Sequence, residues 1–337
     1  MQDSLFGESD RSKPIKKSSK VIGPAVSDQE LITLAQTLQS HLRLGTSSWN
    51  YPGWTGTVWD GEYPENNLSR YGLSAYAKHP LFNTVSIDRG FYRPMAVAQF
   101  ADYAAQVDQD FRFVVKAPSL ITDALIRDED GRGMRTNANF LNAVEAVKLF
   151  VEPALKGLGN KLGALVFQIS PLPNQLLTRM PEVINQLHQM LSAIPDFKQR
   201  APDGVVAVEV RDPQWLTPQF VQVLRDTKST YCMGLHAKMP SINEQLPILR
   251  ALWPGPLVCR WNLNPLHGAY GYEDAQQAYS PYDKMIDPDL ETRATLAKVI
   301  SGTANAGQNV YVTLSNKAEG SAPLSVIELA KAIKSFP

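Results

Sequence analysis

The stretch Gly204-Val-Val-Ala-Val-Glu-Val-Arg211 ends in an alternation of apolar and charged residues. In an extended chain its even-numbered valines fall on one face, and Ala207, Glu209 and Arg211 fall on the other. An apolar face beside a face that ends in two opposite charges is typical of a strand covered by helices on one side and lining a barrel interior on the other. The stretch therefore predicts an inward-facing ion pair at the C-terminal end of a barrel strand.

The same division between apolar and polar faces recurs in other short β-rich runs. The polar residues on the predicted inner faces lie near the C-terminal ends of their strands and are Ser86, Asp88, Lys116, Gln168, Arg260 and Asn262. In β/α barrels the catalytic groups come from this end of several different strands. The pattern therefore places the candidate site at one mouth of a barrel.

Eight β-rich runs alternate with segments of helical periodicity, which predicts an α/β fold of the (β/α)8 TIM-barrel type. An open doubly wound sheet is the alternative, but Gly45-Thr-Ser-Ser-Trp49 is not the GxGxxG turn that usually follows its first strand. The predicted strands are 43–49, 81–88, 111–118, 162–170, 204–211, 230–237, 256–263 and 309–316. The predicted helices are 66–78, 95–107, 137–156, 177–194, 217–227, 241–252, 288–305 and 323–335.

No linker-like composition divides the eight repeats, so we expect residues 28–337 to form a single domain. Residues 1–27 are rich in Ser, Lys, Asp and Gly and are predicted to be a flexible tail. An extra helix is expected from the capping-box pattern of Ser27 and Glu30 to about His41.

The chain of 337 residues carries 33 basic and 33 acidic residues, so no overall positive field attracts nucleic acid or an anionic membrane. Any anion site must be local, and direct nucleic-acid binding is disfavoured. Cys232 and Cys259 lack CxxC or disulfide-type spacing, which suits a reducing compartment. The chain also lacks both a signal-peptide pattern and a run of about 18 apolar residues. We expect a cytoplasmic protein.

Near the N-terminus, Gln2, Ser4, Leu5 and Phe6 resemble the Gln-x-Ser-Leu-Phe peptide by which bacterial proteins dock on the replication sliding clamp. A flexible terminus suits peptide docking. So short a match also arises by chance. Docking on the clamp is therefore a speculative expectation.

A larger set of motifs runs in order along the chain: Gly45–Trp49, Tyr51-Pro52, Trp54, Phe91-Tyr92, Phe111–Pro118, Ile121-Thr122, Leu162-Gly163, Phe167-Gln168, Pro171, Val208–Arg211, Pro213, Trp215, Asn316 and Glu319-Gly320. Together they resemble the YecE-like family, domain of unknown function 72. The resemblance begins near residue 43, continues to the C-terminus and implies a TIM barrel. It implies no particular reaction.

Two positions depart from that family's pattern. Its second strand usually ends in glutamate and asparagine, whereas this chain has Ser86-Ile-Asp88. Its seventh strand commonly ends Arg-x-His-Gly, whereas this chain has Arg260-Trp-Asn262. Asp88 is thus a candidate replacement for the missing carboxylate, and a histidine general base after strand seven is not supported.

The inward cluster has three cations, Lys116, Arg211 and Arg260, and two carboxylates, Asp88 and Glu209. This excess of positive charge favours binding of a phosphate or carboxylate group. We assign Lys116, Glu209 and Asp88 as candidate catalytic residues, with Glu209 or Asp88 as general acid or base. Arg211 and Arg260 are candidate anion clamps. The alternative is a closed ion-pair network that only braces the barrel mouth.

Further substrate-binding candidates follow the strand ends. The polar ones are Gln168, Asn262 and Asn316, and the aromatic ones are Trp49, Tyr51, Tyr92 and Trp215. The aromatic residues could stack on a ring or sugar, or equally serve as ordinary packing at the bases of loops. Gly320, just before a helix, offers either a phosphate-binding backbone or a plain turn.

The sequence holds no organic cofactor motif and no GxSxG nucleophile elbow. Asp88, Glu209 and His236 end three strands and could bind a divalent metal, but no HxH or HExxH spacing supports a metal site. We assign no metal ligands.

Three functions of different classes fit these observations. The leading hypothesis is an enzyme that applies acid–base chemistry to a small anionic molecule. The second is a metal-assisted phosphodiesterase linked to nucleic acid or repair, which the neutral overall charge disfavours. The third is a barrel that binds a ligand without chemistry.

Overall fold

A computed structural model describes residues 21–128, 132–269 and 271–336. Eight parallel strands close into a barrel in the order β1-β10-β9-β8-β7-β6-β3-β2, and β2 pairs with β1. The strands are β1 Leu42–Thr46, β2 Phe82–Ile87, β3 Arg112–Lys116, β4 Leu125–Arg127, β5 Gly133–Thr136, β6 Leu162–Gln168, β7 Val205–Glu209, β8 Thr230–Leu235, β9 Leu257–Trp261 and β10 Val310–Leu314. This architecture confirms the predicted (β/α)8 barrel.

Helices surround the barrel and cover the outward faces of its strands. They are α1 Gln29–Gln36, α2 Glu65–Tyr71, α3 Leu73–Tyr76, α4 Val97–Ala104, α5 Ser119–Thr122, α6 Ala143–Ala146, α7 Glu152–Leu158, α8 Asn174–Leu177, α9 Met180–Ser192, α10 Pro218–Asp226, α11 Ile242–Ala251, α12 Tyr272–Tyr279, α13 Leu290–Asn305, α14 Asn316–Glu319 and α15 Ala322–Lys334. The helix predicted over 66–78 is divided at Gly72, and the one predicted over 137–156 contains a π-helical turn at Val147–Val151. In the part of the chain that the structure describes, no helix is both long and apolar enough to cross a membrane.

The barrel interior is a separate apolar layer inside the ring of strands. Its members are Val114, Ala164, Val166, Val205, Ala207, Cys232, Val258 and Tyr311. Apart from Tyr311, these residues are small or β-branched, which suits the narrow interior of an eight-stranded barrel. Cys232 and Cys259 are both buried free thiols.

Charged residues close the N-terminal end of the barrel beneath this layer. The carboxylate of Asp203 accepts hydrogen bonds from Arg43 over 2.9 Å and from Arg112 over 3.0 Å. Arg43 also donates to Asn309. Because these partners satisfy one another at the end opposite the candidate site, they form a structural plug.

The register of the strands fixes the level of the polar residues at the other end. Gln168 on β6 pairs with Glu209 on β7, and Arg260 on β9 pairs with Gly234 on β8 and with Thr313 on β10. Inward side chains on neighbouring strands therefore lie at similar depth, since parallel pairing carries alternation around the ring.

Several boundaries at the N-terminus differ from the sequence prediction. The N-cap of α1 is Asp28, whose carboxylate accepts from the backbone N–H of Leu31, and the helix ends at Gln36. The predicted flexible tail is wrong over residues 22–25, since Ile22 is buried and two backbone hydrogen bonds join this segment to residues 58–60. Residues 1–20, including the candidate clamp-docking residues Gln2, Ser4, Leu5 and Phe6, lie outside the described residues.

Several elements were not predicted, among them the short helices α5 and α14, and two further ones contribute to the site. An antiparallel hairpin of β4 and β5 follows β3, and α12 lies between β9 and α13. The hairpin strands are short and mostly exposed, so no apolar alternation reveals them. Both elements contribute residues to the mouth of the barrel that carries the candidate site.

Candidate functional site

A cavity of about 700 Å³ opens at the C-terminal mouth of the barrel. Its volume lies in the range of ordinary small-molecule sites. The lining residues that carry a charged group or an imidazole ring are Asp88, Lys116, Arg127, Arg211, His236, Lys238, Arg260 and Lys317. Six of them are lysines or arginines and one is a carboxylate, so the wall is strongly cationic.

Arg260, at the end of β9, links the two carboxylates of the site. Its Nη1 donates to Glu209 over 2.7 Å and to Gln168 over 3.1 Å, and its Nη2 donates to Asp88. The neighbouring carboxylates hold the pKa of Arg260 above its ordinary value, although burial acts in the opposite direction. Arg260 is therefore a fixed cation that is already neutralised by its partners.

Glu209 lies behind the arginines with none of its surface exposed. One carboxylate oxygen accepts from Arg260, and the other accepts from Asn262 over 3.1 Å and lies 2.7 Å from Arg211. Burial alone would raise the pKa of Glu209, but the charges of Arg211 and Arg260 hold it below its ordinary value. Glu209 does not line the cavity, so its position favours a bracing role over the general acid or base role that the sequence suggested.

Room for Glu209 comes from a glycine on the neighbouring strand. A Cβ atom on Gly234 would lie 3.0 Å from Oε1 and 3.1 Å from Cγ of Glu209. A side chain there would press on a carboxylate that three donors hold in place. The glycine is therefore needed for close approach rather than for an unusual backbone angle.

Arg211 and Arg260 each have a buried nitrogen without a hydrogen-bond partner among the described residues, but in Arg260 it is Nε, whereas in Arg211 it is the terminal Nη1. The Nη2 of Arg211 donates to Gln168 over 3.0 Å and pairs with Glu209. Arg211 is 6% exposed and lines the cavity. A buried guanidinium donor without a partner is costly, and a bound anion would satisfy it.

Lys116 ends β3 and lines the same cavity. Its Nζ lies 3.6 Å from the centre of the Phe91 ring, and within the described ranges no carboxylate comes close enough for a salt bridge. Burial lowers the pKa of Lys116 to about 7, and Arg260 and Arg211 act in the same direction. Asp88 and Glu209 oppose that shift without reversing it.

Part of the cavity wall was not predicted from the sequence. Arg127 reaches it from β4, where it also pairs with Asp123, and Tyr272 comes from α12. Lys238 and Lys317 follow β8 and β10. The two lysines could have been found from their positions just after predicted strands, but the residues on the hairpin and on α12 had no such signal.

His236 also lines the wall, and burial together with the charge of Arg211 lowers its pKa to about 4. Its Nδ1 accepts from the backbone N–H of Lys238 over 3.1 Å. No group of three or more potential metal-ligating side chains was found among the described residues. Asp88 and Glu209, the other two candidate ligands, are both bonded to Arg260 instead.

The predicted aromatic contacts divide into two groups. Tyr51 and Tyr92 line the cavity, and Tyr92 is 87% exposed. Trp49 and Trp215 are not among the lining residues; they are buried in edge-to-face contacts with Tyr103 and Phe220. For these two tryptophans the packing interpretation agrees with the structure, because loop bases need large apolar side chains as well as pockets do.

Asn316 is also placed away from the cavity. Its Oδ1 accepts from Trp54 over 3.1 Å and from the backbone N–H of Ala322 over 2.8 Å. Gly320 has a φ of 114°, and a Cβ there would lie 2.5 Å from the Lys284 carbonyl oxygen. Gly320 therefore makes a tight turn between α14 and α15, in agreement with the turn interpretation of this residue.

The model of the protein family of unknown function DUF72 matches residues 43–336. The chain belongs to the DUF72 family. A DUF72 family protein of Enterococcus faecalis V583 is 18% identical over 87% of this chain and 95% of that chain, with a TM-score of 0.56. A DUF72 family protein of Thermotoga maritima MSB8 is 17% identical over 87% and 99%, with a TM-score of 0.51. A comparison with curated proteins found no match.

At these identities the likeness to solved DUF72 structures shows the barrel fold alone. The family description assigns no reaction. The chemistry of this chain therefore depends on its own site residues.

Proposed function

We propose that this DUF72 barrel is an enzyme that applies acid–base chemistry to a small molecule bearing a phosphate or carboxylate group. The observation that carries the proposal is the buried Nη1 of Arg211, a cationic donor without a partner among the described residues, in a cavity whose wall carries six lysines and arginines and one carboxylate. A substrate anion at this position would satisfy the donor and offset part of the positive charge.

The other residues of the site have separate proposed roles. Arg260, neutralised by Glu209 and Asp88, fixes the geometry of the cluster. Asp88 is about one-third exposed at the wall and is in place to exchange protons with a bound molecule. Lys116, with its pKa near 7, can gain or lose a proton at neutral pH. Glu209 acts as a positioning residue.

Calorimetric titration with inorganic phosphate tests the anion site. We expect saturable binding by the wild type and an increase in Kd of about tenfold or more in Arg211→Met, since a charge-assisted hydrogen bond contributes about 1.5–3 kcal/mol. Lys78→Met is the matched control, because Lys78 is an exposed cation that does not line the cavity. Equal phosphate binding by wild type and Arg211→Met would remove the basis of the proposal.

The enzymatic part requires a turnover assay with small carboxylates and phosphate esters. We expect Asp88→Asn to reduce turnover of a processed compound by about 10²-fold or more while phosphate binding is retained. Saturable binding of every compound with no turnover would instead support a barrel that only binds its ligand.

A further inference from the structure

The amine of Lys116 lies in a charged cluster without belonging to its salt bridges. Both nearby carboxylates are engaged by guanidinium groups: Asp88 by Arg260, and Glu209 by Arg260 and Arg211. Nζ instead contacts the face of Phe91 and borders the open cavity. The structure thus leaves an amine at the cavity wall without an anionic partner among the described residues.

The surroundings of this amine disfavour its charged form. Burial lowers the pKa of Lys116 to about 7, so the neutral amine is well populated at neutral pH. A desolvated lysine beside other cations is a recognised route to a nucleophilic amine. Five other lysines and arginines line the cavity and could attract an anionic substrate. Attraction of the substrate therefore does not by itself explain why Lys116 is present.

We propose that Lys116 is a nucleophile that forms an imine with the carbonyl group of a small anionic aldehyde, ketone or 2-oxo acid. The inference rests on the proposed function, because Arg211 must hold the anionic group of the same molecule. It narrows the substrate class from small anions to anionic carbonyl compounds.

The step balances without an added oxidant or reductant. The Nζ lone pair attacks the carbonyl carbon, the carbon–oxygen π bond breaks, and one Nζ proton passes to that oxygen to give a carbinolamine. The second Nζ proton passes through Asp88 to the hydroxyl group, which leaves as water while the carbon–nitrogen double bond forms. Asp88 suits this transfer because it is partly exposed on the cavity wall.

Borohydride trapping tests the imine, because hydride adds to its carbon and leaves a stable secondary amine on the lysine. The probes are pyruvate and glycolaldehyde phosphate, each compared with its uncharged counterpart, acetone or glycolaldehyde. Mass spectrometry of the digested protein locates the adduct. We expect at least one anionic probe to label Lys116 about tenfold more than its counterpart, as expected for about 1.4 kcal/mol of extra binding.

Three variants identify the source of the adduct. Lys116→Arg keeps the positive charge and should lose the labelling completely. Arg211→Met should reduce the preference for the anionic probe. Lys78→Arg replaces an exposed lysine and should leave labelling of Lys116 unchanged. Labelling that is spread evenly over surface lysines, or that falls on Lys317 in the same cavity, would overturn the proposal.

The pH dependence gives a second readout. The charged groups that influence Lys116 are Asp88, Glu209, Arg260 and Arg211, and their balance with burial leaves its pKa at about 7. The initial labelling rate should rise several-fold from pH 6 to 8 and then level off. Surface lysines, with ordinary pKa values near 10.4, should still show rising rates there.

Phosphate calorimetry on the same samples separates the two proposals. If phosphate binds but neither anionic probe labels Lys116, the imine proposal is wrong and the proposed function stands. If phosphate does not bind and no labelling occurs, both fail. Labelling of Lys116 that Arg211→Met leaves unchanged would remove the claimed link between the amine and the anion clamp.

Discussion

Arg260 Nη1 lies 2.7 Å from Glu209 Oε2 at the centre of the barrel mouth, where the two residues are 2% and 0% exposed. Arg260 also binds Asp88 and has partners for both terminal nitrogens, whereas Arg211 shares Glu209 and keeps its terminal Nη1 without a hydrogen-bond partner among the described residues. The bracing and anion-binding interpretations of the cluster are therefore not exclusive. We expect Arg260 to act mainly as a brace and Arg211 mainly as the anion-binding residue.

The first prediction is that Arg260→Met destabilises the protein by about 3–5 kcal/mol, because it leaves two carboxylates without their shared cation, one of them fully buried. Arg211→Met should cost clearly less, since Arg260 and Asn262 still hold Glu209. Urea unfolding of both variants measures the difference. A similar loss in the two proteins would show that the arginines do not divide the roles in this way.

The second prediction concerns Gly234. Gly234→Ala should cost about 1–3 kcal/mol, because the new Cβ would press on Glu209, whose donors prevent it from moving aside. Gly302→Ala is the matched control: Gly302 lies in α13 with open space where a Cβ would be added, so alanine should be neutral or stabilising by up to about 1 kcal/mol. Chemical denaturation of both variants measures the effect, and equal stabilities would contradict the claim of close packing.

The third prediction separates the aromatic residues. Trp215→Ala should cost about 3–5 kcal/mol, because Trp215 is fully buried against Phe220, and should leave the Kd for phosphate within about twofold of the wild type. Tyr92→Ala should change the free energy of unfolding by less than about 0.5 kcal/mol, since Tyr92 is 87% exposed. A large loss of phosphate affinity in a folded Trp215→Ala protein would reverse this assignment.

The arrangement of the site could be predicted where strand periodicity governs it. Asp88, Lys116, Gln168 and Arg260 line the mouth because side chains alternate between two faces and parallel register sets their depth. The same rule does not show which inward residue is covered by its neighbours. Burial of Glu209 depends on the guanidinium groups in front of it and on the glycine beside it, which is a tertiary relationship.

Loop residues were harder to predict for a physical reason. An aromatic residue after a strand can turn towards the cavity, as Tyr51 does, or into the packing beneath a loop, as Trp215 does, and the local sequence is compatible with both. The hairpin that carries Arg127 is short, and its strand residue Met134 is 67% exposed, so no apolar pattern marks it. Such residues are placed by contacts between distant segments.

The last prediction uses the altered ionisation of Lys116. Its pKa is about 7 in the folded protein and about 10.4 in an unfolded chain, so between these values the unfolded state holds the extra proton. The penalty for burying the charge is complete below pH 7 and disappears as the pH rises towards 10, so the wild type should gain stability relative to Lys116→Met over that range.

We therefore expect the stability of Lys116→Met minus that of the wild type to be about 1–3 kcal/mol more positive at pH 6 than at pH 9, because methionine carries no charge to desolvate. Lys116→Met also loses the contact of Nζ with Phe91, which reduces the stability gain at low pH by about 0.5–1 kcal/mol while the amine is charged. We therefore expect a difference in the lower part of this range. Urea unfolding of both proteins at the two pH values measures the difference.

Lys78→Met, which replaces an exposed lysine, should show a nearly constant difference over the same interval. Parallel behaviour of Lys116→Met and Lys78→Met would mean that Lys116 keeps an ordinary ammonium group, and the acid–base and imine roles proposed for it would both lose their physical basis.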